Sequence, residues 1–410
     1  MQTALEQQFF PTWNKEIIMK TAVIIGAGNI GRGFIGQIMS EAGYDVCFID
    51  VSDVVVNALN ERREYPLRIV YSGGADEKII KNVRAVNGKD SDAAAREIAD
   101  CDICITCVGA KAIKFIIPNF VRGVKLRYSE GKSPINLLIC ENLMDADKYI
   151  HSLLEAELTP EELDFVGLVE TSVGRMVPLP DKALLEIDPL IVQTEAYPVL
   201  PCDKDAFKGE VPEIKNVIPV SPFRFIIERK LYIHNMGHAV CAYLGMFKGY
   251  TYICEAIADP EIRVIVREAL TSSAVALSKK YGKAMDEVLL HTEDLIRRFG
   301  NTSLGDTCER VGADVPRKLA KSDRLTGGSL TVLETGGHPV YIAIGAAAAL
   351  YKHSPEGDAR AEFCALTGLD GGEYVDNALF FYDMLKNGAS IADVIAEADK
   401  KLTALYPTVV

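Results

Sequence analysis

A glycine-rich turn between a buried strand and a helix constrains the fold more than any other feature of this chain. The apolar run Thr21–Ile25 predicts a buried strand, and a helical stretch ends at about Ala42. Between them lie Gly26, Ala27, Gly28, Asn29, Ile30 and Gly31. In a turn of this kind the first glycine permits a tight bend, the second lets the backbone approach a ligand, and the third allows close packing of helix and strand. The spacing G-x-G-x-x-G in this context predicts a site for a dinucleotide pyrophosphate at the helix N-terminus.

A carboxylate ends the next predicted strand and indicates which dinucleotide binds. Residues 46–49 are apolar, and Asp50 follows them where a carboxylate accepts hydrogen bonds from the hydroxyl groups of an adenosine ribose. A 2′-phosphate would face this carboxylate, and the next residues, Val51 and Ser52, offer no arginine to bind it. We therefore expect NAD rather than NADP. The expected contacts are Gly26, Gly28, Asn29, Ile30, Gly31 and Asp50. The alternative, a structural glycine turn beside an exposed aspartate, is disfavoured because strand, turn, helix and acid are all present.

The spacing of apolar runs divides the chain into two domains of different type. Further apolar runs at residues 103–108, 135–140 and 165–169 alternate with helical stretches, which predicts a parallel sheet covered on both faces. After a proline-rich passage, the chain reads as almost wholly helical from about Pro222. The prediction is an α/β protein with three parts: an N-terminal extension over residues 1–18, a Rossmann-type doubly wound parallel sheet over residues 19–205, and a mainly α-helical substrate and catalytic domain over residues 206–410.

Composition excludes several classes of protein. The 410 residues carry 44 Lys and Arg against 57 Asp and Glu, which gives a net charge of −13. Such a surface argues against nucleic acid as a partner, although one local basic pocket still suits an anionic small molecule. No apolar run reaches the ~18 residues that span a bilayer, and residues 1–18 lack the apolar core of a secretory signal. Ten cysteines in 410 residues favour a reducing compartment. We expect a cytoplasmic protein with no membrane partner.

Three cysteines at a metal-like spacing are better explained by packing. Cys101, Cys104 and Cys107 form the pattern C-x2-C-x2-C, but they lie in an apolar run that predicts a buried strand. Strand alternation is expected to send Cys104 to the opposite face from the other two, and buried cysteines behave as small apolar residues. We expect no metal site.

A second group of polar residues lies on the first helix of the predicted helical domain. Residues 230–238 read KLYIHNMGH. On an α-helix with ~100° per residue, Asn235 lies ~140° and His238 ~80° around the axis from Lys230, so the three share one broad face. A lysine acts as a base when burial or a neighbouring cation lowers its pKa, and an amide donates to an oxygen that gains negative charge. Spacing alone favours a solvated helix face that carries these three side chains.

The same helix resembles the signature of a known family. Lys230, Asn235 and His238 match the pattern K-x4-N-x2-H of the polyol-specific long-chain dehydrogenases, the mannitol dehydrogenase family. The glycine-rich loop, continued by Arg32 and Gly33, resembles the nucleotide loop of a member of that family. Other similar segments are Cys140-Glu141-Asn142-Leu143, Arg175-Met176-Val177-Pro178, Arg310-Val311, Arg317-Lys318-Leu319 and Asp323-Arg324-Leu325.

The resemblance implies a role for each of these polar residues. It implies that Lys230 is the general base, that Asn235 and Asn142 hold the substrate oxygen, and that His238 contacts the polyol. It further implies metal-independent hydride transfer between NAD and a polyol, with mannitol 1-phosphate oxidised to fructose 6-phosphate by a monomer or homodimer. Without the resemblance, Asn142 equally fits a strand-end cap and His238 fits a hydrogen-bonded histidine at a domain interface.

A phosphorylated substrate needs cations, because guanidinium groups bind phosphate oxygens through paired hydrogen bonds. The candidates for a phosphate are Arg310, Arg317, Lys318 and Arg324, and Arg175 is a further candidate for contact with the substrate. A solvated basic surface is the alternative for each of them.

One departure from the family keeps the substrate open. The family commonly carries an acid directly before the arginine at position 175, where this chain has Gly174. The same-family alternatives are a mannitol 2-dehydrogenase and a fructuronate or tagaturonate reductase, which act on unphosphorylated substrates. A protein that binds NAD and has lost catalysis is a third possibility, which the intact Lys230, Asn235 and His238 disfavour.

Overall fold

The computed structural model describes residues 19–178 and 182–406, so the predicted extension over residues 1–18 lies outside the described residues. Within the described ranges the chain forms eleven strands. They are β1 (Thr21–Ile25), β2 (Asp45–Asp50), β3 (Glu64–Tyr71), β4 (Gly74–Lys81), β5 (Val83–Asn87), β6 (Ile103–Thr106), β7 (Ile135–Ile139), β8 (Val166–Glu170), β9 (Val192–Thr194), β10 (Leu200–Asp203) and β11 (Val217–Val220).

Six of these strands form one parallel sheet in the order β5-β2-β1-β6-β7-β8. Because every pairing is parallel, all six carboxyl ends lie at the same edge of the sheet. The chain leaves β1 toward β2 on one side and returns to β6 on the other, which creates the crevice where ligands of doubly wound sheets bind. The predicted Rossmann-type sheet is confirmed.

A small three-stranded sheet in the order β4-β3-β9 lies outside the predicted elements. β3 and β4 pair antiparallel, and the turn between them uses Gly73 at a φ of 93°. The alternation of buried Tyr65 and Leu67 with half-buried neighbours is a strand signal, but Pro66 interrupts it. β4 is exposed over most of its length and therefore gives almost no apolar signal.

Both faces of the large sheet are covered, and its cysteines divide between the two faces. Cys101 and Cys104 belong to one apolar layer, and Cys107 belongs to the other. The expectation that Cys104 alone faces the opposite way is wrong, because β6 begins only at Ile103 and Cys101 therefore precedes the alternating part. All ten cysteines are free.

Seven α-helices connect the strands of the first part of the described chain. They are α1 (Gly36–Glu41), α2 (Asp53–Arg62), α3 (Ser91–Asp100), α4 (Ile113–Ser129), α5 (Ala146–Glu155), α6 (Pro160–Asp164) and α7 (Lys182–Ile187). A π-helical turn, Gly31–Ile35, leads into α1.

The rest of the described chain is helical, as predicted. Its α-helices are α8 (Arg224–Arg229), α9 (Met236–Phe247), α10 (Ile253–Ala258), α11 (Pro260–Tyr281), α12 (Met285–Phe299), α13 (Cys308–Gly312), α14 (Val315–Leu319), α15 (Arg324–Glu334), α16 (Val340–His353), α17 (Ala359–Thr367), α18 (Glu373–Lys386) and α19 (Ile391–Leu405). A 3₁₀ turn, Thr302–Leu304, follows α12, and a π-helical segment, Lys230–Asn235, joins α8 to α9. α16 is buried from Val340 to Leu350 and forms the centre of this domain with α9 and α18.

The two domains divide later than residue 205. β10 and β11 pair with each other, and Ile214 and Val217 belong to the apolar layer of the large sheet. Residues 206–220 therefore pack with the first domain, and the helical domain begins close to Phe223.

The helical domain also touches the β3–β4 hairpin through the segment that follows α12. The Asn301 side-chain amide donates to the Val70 carbonyl oxygen over 3.2 Å, and the Ser303 hydroxyl donates to the Tyr71 carbonyl oxygen over 2.8 Å. These bonds join the domains at a point remote in sequence from the linker.

Candidate active site

The glycine-rich turn has the geometry that a pyrophosphate site needs. Gly26 has a φ of 104°, and a Cβ there would lie 2.7 Å from the Cys107 carbonyl oxygen. A Cβ on Gly31 would collide with the Gly26 carbonyl oxygen. A Cβ on Gly28, in contrast, would meet no atom within 4 Å. Gly26 and Gly31 are therefore required by the turn itself, whereas Gly28 leaves open space beside its backbone.

Asp50 holds this turn in place through hydrogen bonds to its backbone and also lines a cleft beside it. Its two carboxylate oxygens accept hydrogen bonds from the Ala27 N–H (2.7 Å) and the Ser52 N–H (2.9 Å). Asn29 and Ile30 form the half-buried start of the helix. The predicted dinucleotide-binding residues are therefore brought together at the carboxyl ends of β1 and β2.

The cleft has a volume of about 460 Å³, within the range of ~300–1,000 Å³ usual for small-molecule sites. Its lining includes Gly28, Asp50, Val108, Phe115 and Asn119. Among the described residues that line it there is no lysine or arginine, so nothing offers a cation to a ribose 2′-phosphate.

A second cleft opens where β7 and β8 meet the helical domain. The first domain contributes Glu141, Asn142 and Glu170 from the strand ends. The helical domain contributes Lys230, Asn235, Arg317, Asp323 and Arg324. Three of the four predicted catalytic residues, Lys230, Asn235 and Asn142, therefore line one cleft at the same edge of the sheet as the dinucleotide cleft.

The π-helical segment explains how Lys230 and Asn235 reach the same cleft. It spans Lys230–Asn235, and π-helices form i→i+5 hydrogen bonds. A π-turn has more residues per turn than an α-turn, so residues five apart lie on nearly the same side of the axis. The predicted angle of ~140° around the helix axis between Lys230 and Asn235 is therefore wrong in this segment. The actual angle is smaller, so the two side chains lie more nearly on the same side of the helix.

The environment of Lys230 favours its neutral form. Burial lowers the pKa of Lys230 to about 8, and the positive charge of Arg324 acts in the same direction. Within the described parts of the chain, the Lys230 ammonium has no hydrogen-bond or ion-pair partner, and the side-chain amides of Asn142 and Asn235 are also unpaired. An amine of lowered pKa and two free amides are thus directed to one cleft.

Comparison with known proteins identifies the family. The model of the mannitol dehydrogenase Rossmann domain matches residues 20–216, and that of the mannitol dehydrogenase C-terminal domain matches residues 220–366. The chain belongs to the mannitol dehydrogenase family. The resemblance predicted from the signature helix and the nucleotide loop is confirmed.

Two relatives in this family are named mannitol-1-phosphate 5-dehydrogenase. The protein from Brevibacillus brevis is 34% identical over 385 residues, which cover 93% of this chain and 98% of the relative. The protein from Bacillus licheniformis is 36% identical over 334 residues, which cover 80% of this chain and 87% of the relative.

Two solved structures share the fold of the whole chain. A D-sorbitol dehydrogenase in substrate-free form has a TM-score of 0.77 at 16% identity and covers 94% of this chain and 96% of its own. The Pseudomonas fluorescens mannitol 2-dehydrogenase, in a ternary complex with NAD and D-mannitol, has a TM-score of 0.69 at 16% identity and covers 93% of this chain and 95% of its own.

His238, the third residue of the family signature and the fourth predicted catalytic residue, is not among the residues that line the cleft of Lys230. Its ring stacks on Phe299 with a centroid distance of 4.7 Å, and its Nε2 lies 3.2 Å from an Asp306 carboxylate oxygen. The other Asp306 oxygen accepts from Arg310 Nε over 2.8 Å. A role of His238 toward the polyol therefore stays a prediction.

The predicted phosphate-binding residues separate into two groups. Lys318 donates to the Ala313 carbonyl oxygen and does not line the cleft. Arg317 and Arg324 line the cleft, and Asp323 lies between them, 3.4 Å from Arg317 Nη1 and 2.8 Å from Arg324 Nε. Arg310 is a mostly exposed partner of Asp306 outside the cleft.

Arg175 is a structural residue of the first domain rather than a cleft residue. Burial lowers its pKa to about 10, and its guanidinium Nη1 donates to the Gly33 carbonyl oxygen (3.1 Å) and to Gln37 Oε1 (2.7 Å). Its guanidinium also lies over the Phe34 ring, 4.4 Å from the centroid. Arg175 does not line the cleft, and its role toward the substrate stays an untested prediction.

Two acids of the cleft were not among the predicted site residues. The buried Glu141 carboxylate accepts from the Thr106 hydroxyl (2.5 Å), the Val108 N–H (2.9 Å) and the Gly109 N–H (2.7 Å), so it holds the loop after β6 beside Asn142. Burial raises the pKa of Glu170 to about 7, and the nearby acids Asp147 and Asp145 add to this effect. Both glutamates follow or end a buried parallel strand, and that position is the signal by which they could have been found.

Among the described residues, no group of three or more histidine, cysteine, aspartate or glutamate side chains could hold a metal ion. No helix in the described part of the chain is long and apolar enough to cross a membrane.

Proposed function

We propose that this protein is an NAD-dependent dehydrogenase that interconverts mannitol 1-phosphate and fructose 6-phosphate, with Lys230 as the general base. The observation that supports it most directly is the convergence of Lys230, Asn142 and Asn235 on one cleft, each without a partner among the described residues. The names of the two relatives at 34% and 36% identity support the substrate.

The residues of the first domain fit NAD. The open side of Gly28 leaves room for a pyrophosphate against the helix N-terminus, and Asp50 offers its carboxylate to the ribose hydroxyl groups. Asp50 remains tied to the Ala27 and Ser52 N–H groups, so it is fixed before the dinucleotide arrives. When bound, NAD supplies the acceptor for a hydride from the substrate carbon.

The helical domain supplies the proton chemistry. In oxidation, the neutral Lys230 amine accepts the proton of the substrate hydroxyl group. The side-chain N–H groups of Asn142 and Asn235 donate hydrogen bonds to the same oxygen and stabilise the negative charge that develops on it. In reduction, the Lys230 ammonium returns the proton to that oxygen. These residues require no metal ion for the proton transfer.

The arginines of the cleft support a phosphorylated substrate. Arg317 and Arg324 lie on the helical side, and each keeps guanidinium N–H groups beyond those used by its aspartate partners. A phosphate there would gain charge-assisted hydrogen bonds.

One assay compares this function with its rivals. NADH oxidation is followed with fructose 6-phosphate, fructose, fructuronate and tagaturonate in parallel, and we expect turnover with fructose 6-phosphate at the highest kcat/KM. Turnover on an unphosphorylated ketose or hexuronate but not on fructose 6-phosphate would assign the chain to another activity of its family. If NADH binds and no substrate turns over, the protein is a coenzyme-binding sensor and the proposal is wrong.

A substitution tests the proposed base. Lys230→Ala is expected to remove turnover and leave the affinity for NADH nearly unchanged, because Lys230 lines the second cleft and not the dinucleotide cleft. Lys279→Ala is the matched control, since Lys279 is exposed at the end of α11. Near-normal turnover of the Lys230 variant would contradict the assignment.

A further inference from the structure

The first domain places one carboxylate in the catalytic cleft without a positively charged partner. We propose that Glu170 accepts hydrogen bonds from hydroxyl groups of the polyol chain and, opposite the arginines of the helical domain, sets the direction in which the substrate lies in the cleft. This inference rests on the proposed function, because it concerns the same cleft and the same substrate. It adds the group that recognises the uncharged part of that substrate.

Glu170 lies at the edge of the sheet where the proposed reacting groups meet. It is the last residue of β8 and is in register with Ile139, the last residue of β7. Asn142 follows Ile139 after two intervening residues, and the side chains of Glu170, Asn142 and Lys230 line the same cleft. Glu170 therefore belongs to the wall that the first domain contributes, next to one of the two amides of the proposed oxygen site.

The surroundings of Glu170 leave its carboxylate largely unpaired. In the described ranges of the chain it forms no ion pair, and no side chain donates a hydrogen bond to it. Burial raises its pKa to about 7, and the neighbouring acids Asp147, Asp145 and Asp203 act in the same direction. The Ala146 N–H acts in the opposite direction. The carboxylate is thus an acceptor that the protein itself hardly uses.

The arginines of the cleft are held by aspartates of their own domain and not by Glu170. Arg317 Nε donates to Asp314 over 2.7 Å, and Arg324 Nε donates to Asp323 over 2.8 Å. Both arginines line the cleft from the helical domain, whereas Glu170 lines it from the first domain. The cleft therefore has positive groups on one wall and an unpaired carboxylate on the other.

Neutral hydroxyl groups are the donors that suit this carboxylate. Bonds from O–H groups to a carboxylate are ~2.5–2.7 Å long and roughly twice as strong as those between neutral groups. The two oxygens of Glu170 can accept from two hydroxyl groups of one carbon chain. An anionic group at the same place would be repelled, because like charges interact strongly where little water screens them. The cleft is therefore suited to a substrate with one anionic end and hydroxyl groups along the rest.

This arrangement predicts discrimination against substrates with two anionic ends. When one phosphate lies at Arg317 and Arg324, a second phosphate at the other end of the chain would face Glu170. Fructose 1,6-bisphosphate is therefore the probe for the charge of Glu170, and deoxy analogues of fructose 6-phosphate are the probes for its hydrogen bonds.

The test removes the carboxylate and the hydroxyl groups separately and together. Glu170→Ala and Glu170→Gln are compared with the wild type and with the control Glu155→Gln, which makes the same change at an exposed position of α5. For each protein we would measure Tm, kcat and KM at pH 8 with NADH. The substrates are fructose 6-phosphate, its 1-deoxy, 3-deoxy and 4-deoxy analogues, and fructose 1,6-bisphosphate.

We expect Glu170→Ala to raise the KM for fructose 6-phosphate about tenfold, the size of one lost hydrogen bond to a charged group, with a smaller change in kcat. In the wild type, at least one deoxy analogue should have a kcat/KM about tenfold below that of fructose 6-phosphate. In Glu170→Ala that difference should shrink to about twofold or less, because the partner of the missing hydroxyl group is already gone. Glu155→Gln should behave as the wild type throughout.

Fructose 1,6-bisphosphate should respond in the opposite sense. Its kcat/KM in the wild type should be about 100-fold or more below that of fructose 6-phosphate. Glu170→Gln keeps the size of the side chain and removes its charge, so it should narrow this ratio about tenfold. The Tm of Glu170→Gln should equal or exceed that of the wild type, since an unpaired and partly buried carboxylate among other acids is unfavourable to the fold. A merely structural role would lower Tm and leave the ratio between the substrates unchanged.

Two results would overturn the proposal: deoxy analogues that lose as much in Glu170→Ala as in the wild type, or an unchanged ratio between fructose 6-phosphate and the bisphosphate in Glu170→Gln. If Glu170→Ala is insoluble, Glu170→Gln takes its place in the comparison of the deoxy analogues.

Failure of the proposed function gives a different pattern. If the wild type reduces another of the four assayed substrates instead, the deoxy analogues of that compound enter the same comparison, and only the proposed substrate is wrong. If it turns over none of them, calorimetric titration of the NADH complex with fructose 6-phosphate replaces the rates. Binding about tenfold weaker in Glu170→Gln than in the wild type supports the contact, and equal binding or no binding to either protein contradicts it.

Discussion

The surroundings of Lys230 lower the pKa of its amine, an effect that a lysine in water does not share. A lysine in water has a pKa of about 10.4 and is almost entirely charged at neutral pH. Burial and the charge of Arg324 lower the pKa of Lys230 to about 8, so both protonation states are accessible near neutrality. The same amine can then take a proton in oxidation and return it in reduction.

This lowered pKa predicts opposite pH profiles for the two directions. With Lys230 as the proposed base, oxidation needs the neutral amine, so its kcat/KM should rise with pH through about pH 8. Reduction needs the ammonium, so its kcat/KM should fall over the same range. Arg324→Gln removes the neighbouring positive charge, which should raise the pKa of Lys230 and move both inflections to higher pH. Initial rates between pH 6 and 10 in both directions measure this shift.

The control for that shift is Arg360→Gln, which removes an exposed arginine of a surface ion pair. It should leave the inflections in place. An inflection that does not move in Arg324→Gln would show that Arg324 does not act on the titrating group.

At the level of single residues, the sequence predicted Lys230, Asn235 and Asn142 correctly as neighbours in one cleft. It could not separate Arg317 and Arg324, which line the cleft, from Arg175, because neither charge nor family resemblance shows what each guanidinium contacts. What separates them is tertiary packing: Arg175 is held by backbone and amide oxygens within its own domain. Sequence position does not reveal such partners.

Among the elements, the π-helical segment Lys230–Asn235 shows a feature that α-helical spacing in the sequence cannot predict. The predicted first helix of the helical domain is present as α8, the π-helical segment and α9, but it has one wider turn where the signature lies. A wide turn of this kind accommodates an extra residue while the flanking helices keep their packing. No residue type encodes it, so an α-helical projection misplaces Asn235 although it predicts the helix itself.

The glycine turn allows a comparison of two substitutions within one element. Gly31→Ala places a methyl group into the Gly26 carbonyl oxygen and should destabilise the fold, with a loss of several degrees in Tm. Gly28→Ala meets no protein atom within 4 Å, so its Tm should match the wild type. Its KM for NADH should nevertheless rise tenfold or more, because the methyl group occupies space that the pyrophosphate needs.

Thermal unfolding and NADH titration of the two variants test these expected changes in Tm and in NADH affinity. Equal NADH affinity of wild type and Gly28→Ala would show that the pyrophosphate does not approach this backbone. An unchanged Tm for Gly31→Ala would contradict the packing role of the third glycine.

The whole molecule carries a charge of −13, yet its catalytic cleft is not correspondingly acidic. Lys230, Arg317 and Arg324 face Glu141, Glu170 and Asp323 there. Burial raises the pKa of Glu170 to about 7, so the negative charge of this acid is reduced near neutral pH. The balance of positive and negative charge inside the cleft is therefore more favourable to an anionic substrate than that of the protein surface as a whole.

The positive side chains of this cleft predict that Arg317 binds the phosphate group of the proposed substrate. Arg317→Gln should raise the KM for fructose 6-phosphate about tenfold, the equivalent of one lost hydrogen bond to a charged group at ~1.5–3 kcal/mol. Its kcat should change less, because Arg317 is not assigned to the reacting oxygen. Arg360→Gln removes an exposed ion pair whose two residues do not line the cleft, and it should leave KM unchanged. Equal KM values for the two variants would exclude Arg317 from phosphate binding.

The segment from Arg298 to Ser303 makes the two halves of this molecule less interchangeable than their separate folds suggest. It bonds the helical domain to Glu195 and, a few residues later, to the hairpin carbonyls of Val70 and Tyr71. A chimera that takes its Rossmann domain from one relative and its helical domain from another therefore has to inherit this segment together with its acceptors. When two family members are recombined, the crossover point should keep this segment and its hydrogen-bond acceptors from the same parent. That requirement matters more than where the crossover falls in the linker between the domains.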